Sequence, residues 1–508
     1  MARKGAGMAD RNGVSGGQSK SLAQLGLHAR AGRMAQVSGL AVDSRDIEAG
    51  FLFAALPGTK IHGAAFIATA LRMGAAAILT DAEGARLAER ELAASDAALV
   101  IAEDPRQALA CAAALWFGAQ PAVVAAVTGT NGKTSVATFL RQIWQAQGNK
   151  AINLGTTGVE GDFTYPLAHT TPEPITLHRI LAQAAAAGVT RCAMEASSHG
   201  LSQRRLDGVM LRGAGFTNLT QDHLDYHASF EEYFAAKAGL FTRVLPPDGY
   251  AVINIDGARG PDMAEAAEMR GIDVLTVGMH RDAEMRIMAR RFEPHGQILR
   301  VAFNDEEYQV HLNLIGGFQA ENVLVAAGLA ILTGEPPDEV FDVLPQLTGV
   351  RGRMQLAATR ANGAAVYVDY AHTPDAVATA LKALRPHVMG RIVAVIGAGG
   401  DRDRTKRPLM GQAAAENADL VFVTDDNPRS EDPASIRASV MLGCPEAIEV
   451  ADRAEAILRA VDSLGPGDAL LVAGKGHESG QIIGQTTYPF DDVEQSSVAV
   501  AALDGRLA

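Results

Sequence analysis

The sequence predicts an α/β protein with three domains. Apolar β-branched stretches alternate with alanine-rich helical stretches along most of the chain, a pattern that is typical of largely parallel sheets. The chain has 508 residues, and at roughly 150 residues per domain this length suggests about three domains. Several predicted strands end in polar or glycine-rich clusters, where open parallel sheets bind ligands. We therefore expect a small N-terminal α/β domain, a central P-loop ATPase-like domain with a parallel sheet, and a C-terminal Rossmann-like α/β domain.

Composition and charge exclude several classes of protein. Hydrophobic residues make up 48% of the chain and charged residues 20%, which is an ordinary globular composition rather than a disordered or fibrous one. The formal net charge of −13 argues against coating of nucleic acid, although a local basic pocket for a small anion stays possible. The three cysteines, Cys111, Cys192 and Cys444, are too few and too far apart for a disulfide framework or a CxxC metal site. We expect a cytoplasmic monomer that binds small molecules, and neither nucleic acid nor a membrane.

The chain is predicted to begin with a disordered leader that is followed by the first domain. Residues 1–20 mix charges with Gly, Ser and Gln and have no apolar core, so we expect a disordered leader rather than a signal or transit peptide. Residues 21–102 are predicted to form the first domain. The longest apolar run, residues 110–127, contains Gln120 and Pro121, which favours a buried helix followed by a strand over a membrane span. The strands predicted in the first domain are 50–55, 75–79 and 98–101.

Residues 103–348 are predicted to form the central domain, which opens with a strand at 123–127. A helix is predicted from Lys133 onward, and Gly148 provides its C-terminal stop. The apolar residues of this helix recur with the spacing of a core-facing stripe; they are Val136, Phe139, Leu140, Ile143 and Trp144.

A glycine-containing loop between that strand and that helix predicts ATP binding. Glycines let backbone N–H groups turn toward an anion, and the helix N-terminus adds partial positive charge. Lys133 can reach the β- and γ-phosphates, and the Thr134 hydroxyl can bind Mg²⁺. Val127 occupies the first glycine position of the strict GxxxxGK[ST] pattern, so the prediction depends on the strand–loop–helix context. The candidate ATP-binding residues of the loop are Gly129, Thr130, Asn131, Gly132, Lys133, Thr134 and Ser135.

Residues 349–508 form the predicted C-terminal domain. Each of its four predicted strands is followed by a polar or glycine-rich cluster. Because the carboxyl ends of parallel strands meet at one edge of a sheet, we expect the four clusters to form one wall of a ligand site. The strands are 365–368, 391–396, 420–423 and 469–472, and the clusters are 369–372, 397–407, 425–429 and 474–478.

Two further polar segments in the central domain are candidates for binding a cation. Glu195 follows a predicted strand at 191–194, and residues 218–227 contain two aspartates and two histidines. A hard cation beside ATP prefers a carboxylate and other oxygen ligands. From the residues alone, each of these groups is explained equally well as a metal ligand and as a solvated loop charge or a helix cap. Lys237 by itself is interpreted as a helix-surface lysine.

Together these motifs resemble the Mur ligases, the ATP-dependent amide-forming enzymes that build the stem peptide of peptidoglycan. The resemblance spans residues 40–480 and includes the phosphate loop, the Thr170-Thr171-Pro172 motif, Lys237 and the Asp426–Arg429 tetrapeptide. Folylpolyglutamate synthases share the phosphate loop and the overall plan, but we do not expect them to carry the tetrapeptide.

The resemblance implies roles for individual residues. The UDP-muramoyl dipeptide would be bound by Val42, Ser44, Thr59, Lys60, Ile61, His169, Thr170, Thr171, Ser197, Gln203 and Arg205. Further ATP contacts would come from Asn322, Arg353, Asp369 and His372. The implied Mg²⁺ ligands are Thr134, Glu195, His223 and Lys237, and the implied catalytic residues are Lys133, Lys237 and His223. Members of the family carry the lysine that matches Lys237 as a carbamate, which turns a cation into an anion able to bind metal.

The tetrapeptide implies that the amino acid added is meso-diaminopimelate. This diamino acid differs from lysine by a second carboxylate, and a guanidinium binds a carboxylate through two parallel hydrogen bonds. The resemblance implies a pocket made of Arg402, Asp426, Asn427, Pro428, Arg429, Gly474 and Glu478. The expected reaction forms an acyl phosphate with ATP and then an amide, releasing ADP and phosphate. A lysine-adding ligase, and a nucleotide-binding regulator that ligates nothing, are the alternatives.

Overall fold

Three β-sheets, of four, ten and six strands, follow one another along the chain, and each has helices packed on it. The computed structural model describes residues 19–30, 34–58, 61–167, 169–220 and 229–506. Of the predicted features, residues 1–18 of the leader, Thr59, Lys60 and His223 lie outside these ranges. The predicted α/β fold class with largely parallel sheets is confirmed.

The first sheet is small and wholly parallel, with strand order β3-β4-β5-β6. Its core includes Leu52 and Leu79 from the sheet and Leu109 and Trp116 from helix α4. Lys20, in the predicted leader, already forms a short strand paired with Val37. The elements of this part are β1 (Lys20–Ser21), β2 (Gln36–Val37), β3 (Gly39–Ala41), β4 (Phe51–Ala54), α1 (Ile67–Arg72), β5 (Ala77–Thr80), α2 (Ala82–Leu87), α3 (Glu89–Ala93), β6 (Ala98–Ile101) and α4 (Pro105–Phe117).

The second sheet has the order β16-β15-β14-β13-β12-β11-β7-β10-β8-β9 and is parallel from β14 to β8. The predicted stripe of α5 is buried against one face together with α10, while α6 covers the other. The elements are β7 (Val123–Thr128), α5 (Lys133–Ala146), β8 (Ala151–Gly155), β9 (Gly158–Gly161), α6 (Pro174–Ala186), β10 (Arg191–Glu195), α7 (Ser198–Ser202), β11 (Gly213–Phe216), α8 (Phe230–Gly239), β12 (Tyr250–Asn254), α9 (Gly260–Glu268), β13 (Asp273–Gly278), β14 (Met285–Glu293), β15 (Gly296–Phe303), β16 (Glu306–Leu312), α10 (Phe318–Leu332) and α11 (Pro337–Val343).

The third sheet has the order β17-β18-β22-β19-β20-β21, with only β17 antiparallel. The four strands predicted here are present, with ends that differ by at most one residue. No helix in the described ranges is long and apolar enough to cross a membrane. The elements are β17 (Gln355–Thr359), β18 (Ala365–Asp369), α12 (Pro374–Leu384), β19 (Ile392–Ile396), α13 (Lys406–Asn417), β20 (Leu420–Val423), α14 (Pro433–Met441), β21 (Ile448–Glu449), α15 (Arg453–Asp462), β22 (Ala469–Ala473), β23 (Gly480–Ile483), β24 (Thr486–Pro489) and α16 (Asp492–Leu503).

Candidate active site

The predicted phosphate loop lies at the centre of the second sheet. Strand β7 is fully buried between β10 and β11, and the loop after it leads directly into α5 at Lys133. The Lys133 ammonium donates to the carbonyls of Gly129 (2.9 Å) and Thr130 (2.8 Å), so it lies over the loop. Backbone amides at a helix N-terminus and a nearby ammonium together attract an anion. The loop therefore has the geometry of a phosphate site.

Asn322 of α10 packs directly against this loop. Gly132 has a φ of +86°, and a Cβ placed on it would lie 2.3 Å from the Asn322 side-chain oxygen. Only glycine satisfies both the backbone conformation and the close approach. The Asn322 amide donates to Gln319 (3.1 Å), and Gln319 lines a cavity of about 260 Å³ that Arg353 also lines. The structure thus connects the loop to the third sheet's residues through one cavity.

Glu195 ends β10, next to the loop, and its carboxylate collects hydroxyl and amide donors. One oxygen accepts from the Thr134 hydroxyl (3.0 Å) and from the Thr156 backbone N–H (2.7 Å). The other accepts from the Thr156 hydroxyl (3.3 Å). The side chain is buried, and Gly155 leaves room for it, since a Cβ there would lie 2.0 Å from the carboxylate. The predicted pair Thr134 and Glu195 is therefore brought together.

Lys237 on α8 also reaches the loop rather than the helix surface. The residue is 1% exposed, and its ammonium donates to the Gly129 carbonyl at 2.7 Å. The ammonium also lies 4.5 Å from the centre of the Tyr233 ring, and the Tyr233 hydroxyl is 3.1 Å from the Thr130 hydroxyl. The helix-surface interpretation of Lys237 is wrong, because the π-helical turn and the sheet bury this face of α8.

A second polar cluster adjoins Glu195 and holds residues predicted for the dipeptide. The Thr171 hydroxyl donates to the Glu195 backbone carbonyl (2.9 Å) and accepts from the Ser197 backbone N–H (3.1 Å). Arg205 donates to the Thr171 carbonyl and to Gln203. The Thr170 hydroxyl is 3.1 Å from that of Thr156. Among these predicted residues, His169 alone has an exposed side chain and no contact to the others in the described structure.

The residues predicted for the nucleotide part of the dipeptide follow two neighbouring parallel strands. Val42 and Ser44 come directly after β3, and Ile61 follows β4. Val42 and Ile61 expose apolar side chains, at 37% and 62%. Asp43 caps the short 3-10 helix that begins at Ser44, accepting from the Arg45 N–H. These residues lie at one edge of the first sheet, where ligands of parallel sheets bind.

The residues predicted to contact ATP from the third sheet gather around Tyr370. The Arg353 guanidinium lies 4.6 Å from the centre of this ring, and the His372 ring lies 4.5 Å from it. Asp369 accepts from the backbone N–H groups of Met354 (2.7 Å) and Ala371 (2.8 Å). Burial raises the pKa of Asp369, with the nearby Arg353 opposing it, and burial lowers the pKa of His372.

The four strand-end clusters of the third sheet do meet at one edge, because β18, β22, β19 and β20 are consecutive neighbours. Asp426 lies against Gly474, whose added Cβ would be 2.6 Å from the carboxylate. The Asn427 amide donates to Glu478 at 2.9 Å. The Pro428 carbonyl accepts from Glu431 at 3.1 Å. The predicted pocket residues are therefore neighbours although they come from three loops.

Two arginines at this edge have no carboxylate partner in the part of the chain that the structure describes. Arg429 donates to the Gly400 carbonyl at 2.8 Å, and the same group lies 2.8 Å from a Cβ built on Gly399. The Cγ atom of Arg402 would lie 3.7 Å from the same added Cβ. Within the described ranges, neither arginine forms an ion pair, whereas Arg404 and Arg407 of the same segment both pair with Glu431. Two unmatched cations at one strand edge attract an external carboxylate.

Sequence reasoning missed three residues that the structure places among the predicted ones. They are Thr156 beside Glu195, Tyr233 beside Lys237, and Lys475 beside Asn427. Tyr233 is four residues before Lys237 on one helix, so helical spacing was a signal for it. Lys475 lies inside the predicted 474–478 cluster and was passed over. Nothing local to Thr156 indicates its position.

Comparison with known proteins agrees with this geometry. Three family descriptions match consecutive parts of the chain: Mur ligase family, catalytic domain, over residues 36–117; Mur ligase middle domain, over 127–330; and Mur ligase, glutamate ligase domain, over 352–476.

Individual relatives match over nearly their whole length. The UDP-N-acetylmuramoyl-L-alanyl-D-glutamate--2,6-diaminopimelate ligase of Caulobacter vibrioides is 49% identical over 476 residues, covering 92% of this chain and 96% of that one. The protein of the same name from Brucella melitensis biotype 1 is 48% identical over 475 residues, covering 92% and 94%. A solved structure of a ligase with this name superposes with a TM-score of 0.71 at 34% identity, covering 96% of this chain and 99% of that one.

Proposed function

The chain belongs to the Mur ligase family, and from this we propose that it adds meso-diaminopimelate to UDP-N-acetylmuramoyl-L-alanyl-D-glutamate with consumption of ATP. The relatives' names supply the class of amino acid and the dipeptide. The observation that carries the specificity is that Arg402 and Arg429 form no ion pair in the described structure. Asn427, whose carbonyl lies 3.5 Å from the Arg429 guanidinium, connects them to the Glu478 carboxylate, to which its amide donates at 2.9 Å.

ATP binding is assigned to the loop after β7 and to the cavity next to it. The α5 N-terminus and Lys133 would bind the β- and γ-phosphates, since the helix end carries partial positive charge and the Lys133 ammonium lies over this loop. Asn322 and Gln319 connect the loop to the 260 Å³ cavity, where we place the nucleoside. Arg353 lines this cavity, and with Asp369 and His372 it belongs to the group around Tyr370.

The residues beside the loop fit Mg²⁺. Thr134 and Glu195 present hydroxyl and carboxylate oxygens to each other at 3.0 Å, and Mg²⁺ binds through one or two carboxylates plus substrate phosphates. The described ranges contain no cluster of three or more His, Cys, Asp or Glu side chains suited to a metal. When bound, the ion neutralises charge on the phosphoryl group.

Lys237 fits this site only after modification. As an ammonium it donates to the Gly129 carbonyl and repels a metal ion. We propose that CO₂ condenses with its neutral amine, forming an N–C bond and releasing a proton, to give a carbamate. The new carboxylate would be an additional oxygen ligand beside the loop, matching the family's modified lysine. His223 stays a proposed ligand from the sequence.

In the first chemical step, the dipeptide would react with ATP close to Glu195. The cluster around Thr171, Ser197 and Arg205 would orient the dipeptide, with Thr170 and Gln203 beside it. An oxygen of its D-glutamyl γ-carboxylate forms a bond to the γ-phosphorus, and ADP leaves. Such a transfer depends on positioning and charge neutralisation, which Lys133 supplies.

The second step uses the strand edge of the third sheet. The diamino acid's amine attacks the acyl carbon, a C–N bond forms, phosphate leaves and the amine loses a proton. At its other end, the carboxylate would bind Arg429 and Arg402 and the ammonium would face Glu478. The side-chain ammonium of lysine would pair with Glu478, but lysine has no carboxylate for the two arginines. This difference would produce a preference for meso-diaminopimelate over lysine.

Two broader assignments complete the proposal. ATP and a reducing environment for three unpaired cysteines are both found in the cytoplasm, which supports a cytoplasmic enzyme. That the enzyme is a monomer stays a prediction from the sequence.

The test is phosphate release in the presence of ATP and Mg²⁺, with the nucleotide dipeptide and either meso-diaminopimelate or lysine. We expect release that requires both the dipeptide and meso-diaminopimelate, and a product whose mass equals their sum less one water. Efficient reaction with lysine instead would indicate the lysine-adding alternative. Nucleotide binding without any amino-acid-dependent release would indicate a regulator.

A further inference from the structure

Lys475 is a fully buried lysine directly behind the proposed amino-acid pocket. It follows β22, its side chain is 0% exposed, and its ammonium donates to the Asn427 side-chain oxygen (2.9 Å) and the Gly480 carbonyl (2.7 Å). The ammonium also lies 3.7 Å from the Glu478 carboxylate. Burial lowers the pKa of Lys475, while nearby Asp426 and Glu478 oppose that shift. A buried cation is costly unless such partners compensate for the lost water.

This lysine and the Ile482 backbone N–H together set which way the Asn427 amide points. An ammonium can only donate hydrogen bonds, so the amide must turn its oxygen toward Lys475. The Ile482 backbone N–H donates to the same oxygen at 2.9 Å. The amide nitrogen is thereby directed at Glu478, to which it donates at 2.9 Å. Because Asn427 is only 3% exposed, water has little room to replace these contacts.

The backbone of Asn427 contacts the cationic side of the same pocket. Its carbonyl accepts from the Gly400 N–H at 2.9 Å and lies 3.5 Å from the Arg429 guanidinium. Asn427 therefore connects the acidic group of the pocket to the basic one. Any rotation of its amide changes where the Glu478 carboxylate lies relative to Arg429.

We propose that Lys475 is a positioning residue for diamino-acid specificity. By orienting Asn427, it holds one Glu478 oxygen and leaves the other for the substrate's distal ammonium, at a set separation from Arg429. The inference rests on the proposed function. It implies that Glu478 and Arg429 together distinguish the configuration of the distal carbon. The ammonium on that carbon must contact Glu478 while its carboxylate contacts Arg429.

The test is the Lys475→Met variant, which keeps the side-chain length and removes the donors. Losing one charge-assisted hydrogen bond should raise KM for meso-diaminopimelate about 10- to 100-fold. The KM values for ATP and the dipeptide should change by less than about twofold, since neither substrate contacts this pocket. The preference for the meso over the LL isomer should fall. Lys382→Met, at an exposed position of helix α12, is the control and should match the wild type.

A double-mutant cycle separates positioning from general stabilisation. If Lys475 acts through Glu478, then adding Lys475→Met to Glu478→Gln should cause little further rise in KM for the diamino acid, because contacting residues are non-additive. Multiplication of the two single effects would overturn the proposal. So would an unchanged KM and isomer preference in Lys475→Met.

A second variant covers the possibility that Lys475→Met does not fold, as judged by its circular dichroism melt. Asn427→Asp still accepts from Lys475 and from the Ile482 N–H but can no longer donate to Glu478. The same rise in KM for meso-diaminopimelate is expected, and an unchanged KM would overturn the inference. If the wild type ligates neither diamino acid, the proposed function has failed; if it ligates meso-diaminopimelate and both variants match it, only the Lys475 inference has failed.

Discussion

Arg429→Ala should remove most of the preference for meso-diaminopimelate over lysine. The half-buried guanidinium uses one N–H on the Gly400 carbonyl, which leaves a forked pair of donors for a carboxylate. Two charge-assisted hydrogen bonds contribute ~1.5 kcal/mol each at the lower end of the range, appropriate here because the group is partly exposed. Arg402 would retain part of the attraction, so we expect a loss of ~2 to 3 kcal/mol, or about 30- to 150-fold in kcat/KM.

The assay compares kcat/KM for both amino acids in the variant and the wild type. Lysine has no distal carboxylate, so its value should barely change and the ratio should fall by the whole factor. ATP–ADP exchange driven by the dipeptide alone should be unaffected, because that step precedes amino-acid binding. Arg404→Ala is the matched control, since Arg404 is exposed and already pairs with Glu431 at 3.1 Å. An unchanged ratio in Arg429→Ala would refute the assigned role.

Three further outcomes are expected. Lys133→Ala should abolish phosphate release with an unchanged circular dichroism melt, because the loop loses the ammonium that lies over it; near-wild-type release would contradict the ATP assignment. Lys237→Ala should be nearly inactive and partly restored by formate or acetate in place of the carbamate; full activity without additive would exclude the modification. His178 is 1% exposed, its ring nitrogens lack partners among the described residues, and burial lowers its pKa to about 4. The unfolded chain therefore binds more protons between pH 6.5 and 4, and the free energy of unfolding should fall by roughly 3 kcal/mol over that window as the pH is lowered. His178→Leu should weaken this dependence in pH-dependent chemical denaturation; an identical pH profile would show that His178 is not responsible.

Local sequence patterns predicted the strands that carry the candidate sites and the helix after the phosphate loop, but not the remaining strands and helices individually. The apolar stripe of α5, from Val136 to Trp144, is fully buried as expected, because helical spacing alone places those residues on one face. The antiparallel pairs β14–β15 and β15–β16 were not predicted, and the surface-facing residues of these strands alternate with buried ones at the edge of the sheet. The predicted domain boundaries at 102/103 and 348/349 stay predictions; α4, which follows the first, packs into the first sheet's core.

The chemistry-bearing residues were predicted less completely than the strands. Motifs identified Glu195, Asn427 and Arg429, since each follows a strand whose carboxyl end is a ligand edge. Spacing could not show that Lys237 turns inward, because a lysine on a helix is ordinarily solvated. Thr156, which gives Glu195 two hydrogen bonds, has no local signal at all.

The sequence by itself determined the α/β class, the phosphate loop and the strand ends where ligands bind, because hydrogen bonding and burial within a short segment follow from that segment's own residues. Only the tertiary structure decided which distant groups meet. Lys237 reaches a carbonyl 108 residues away, and Lys475 reaches an amide 48 residues away. Such contacts depend on how whole sheets and helices pack, and a buried lysine persists only where packing supplies acceptors that replace its water.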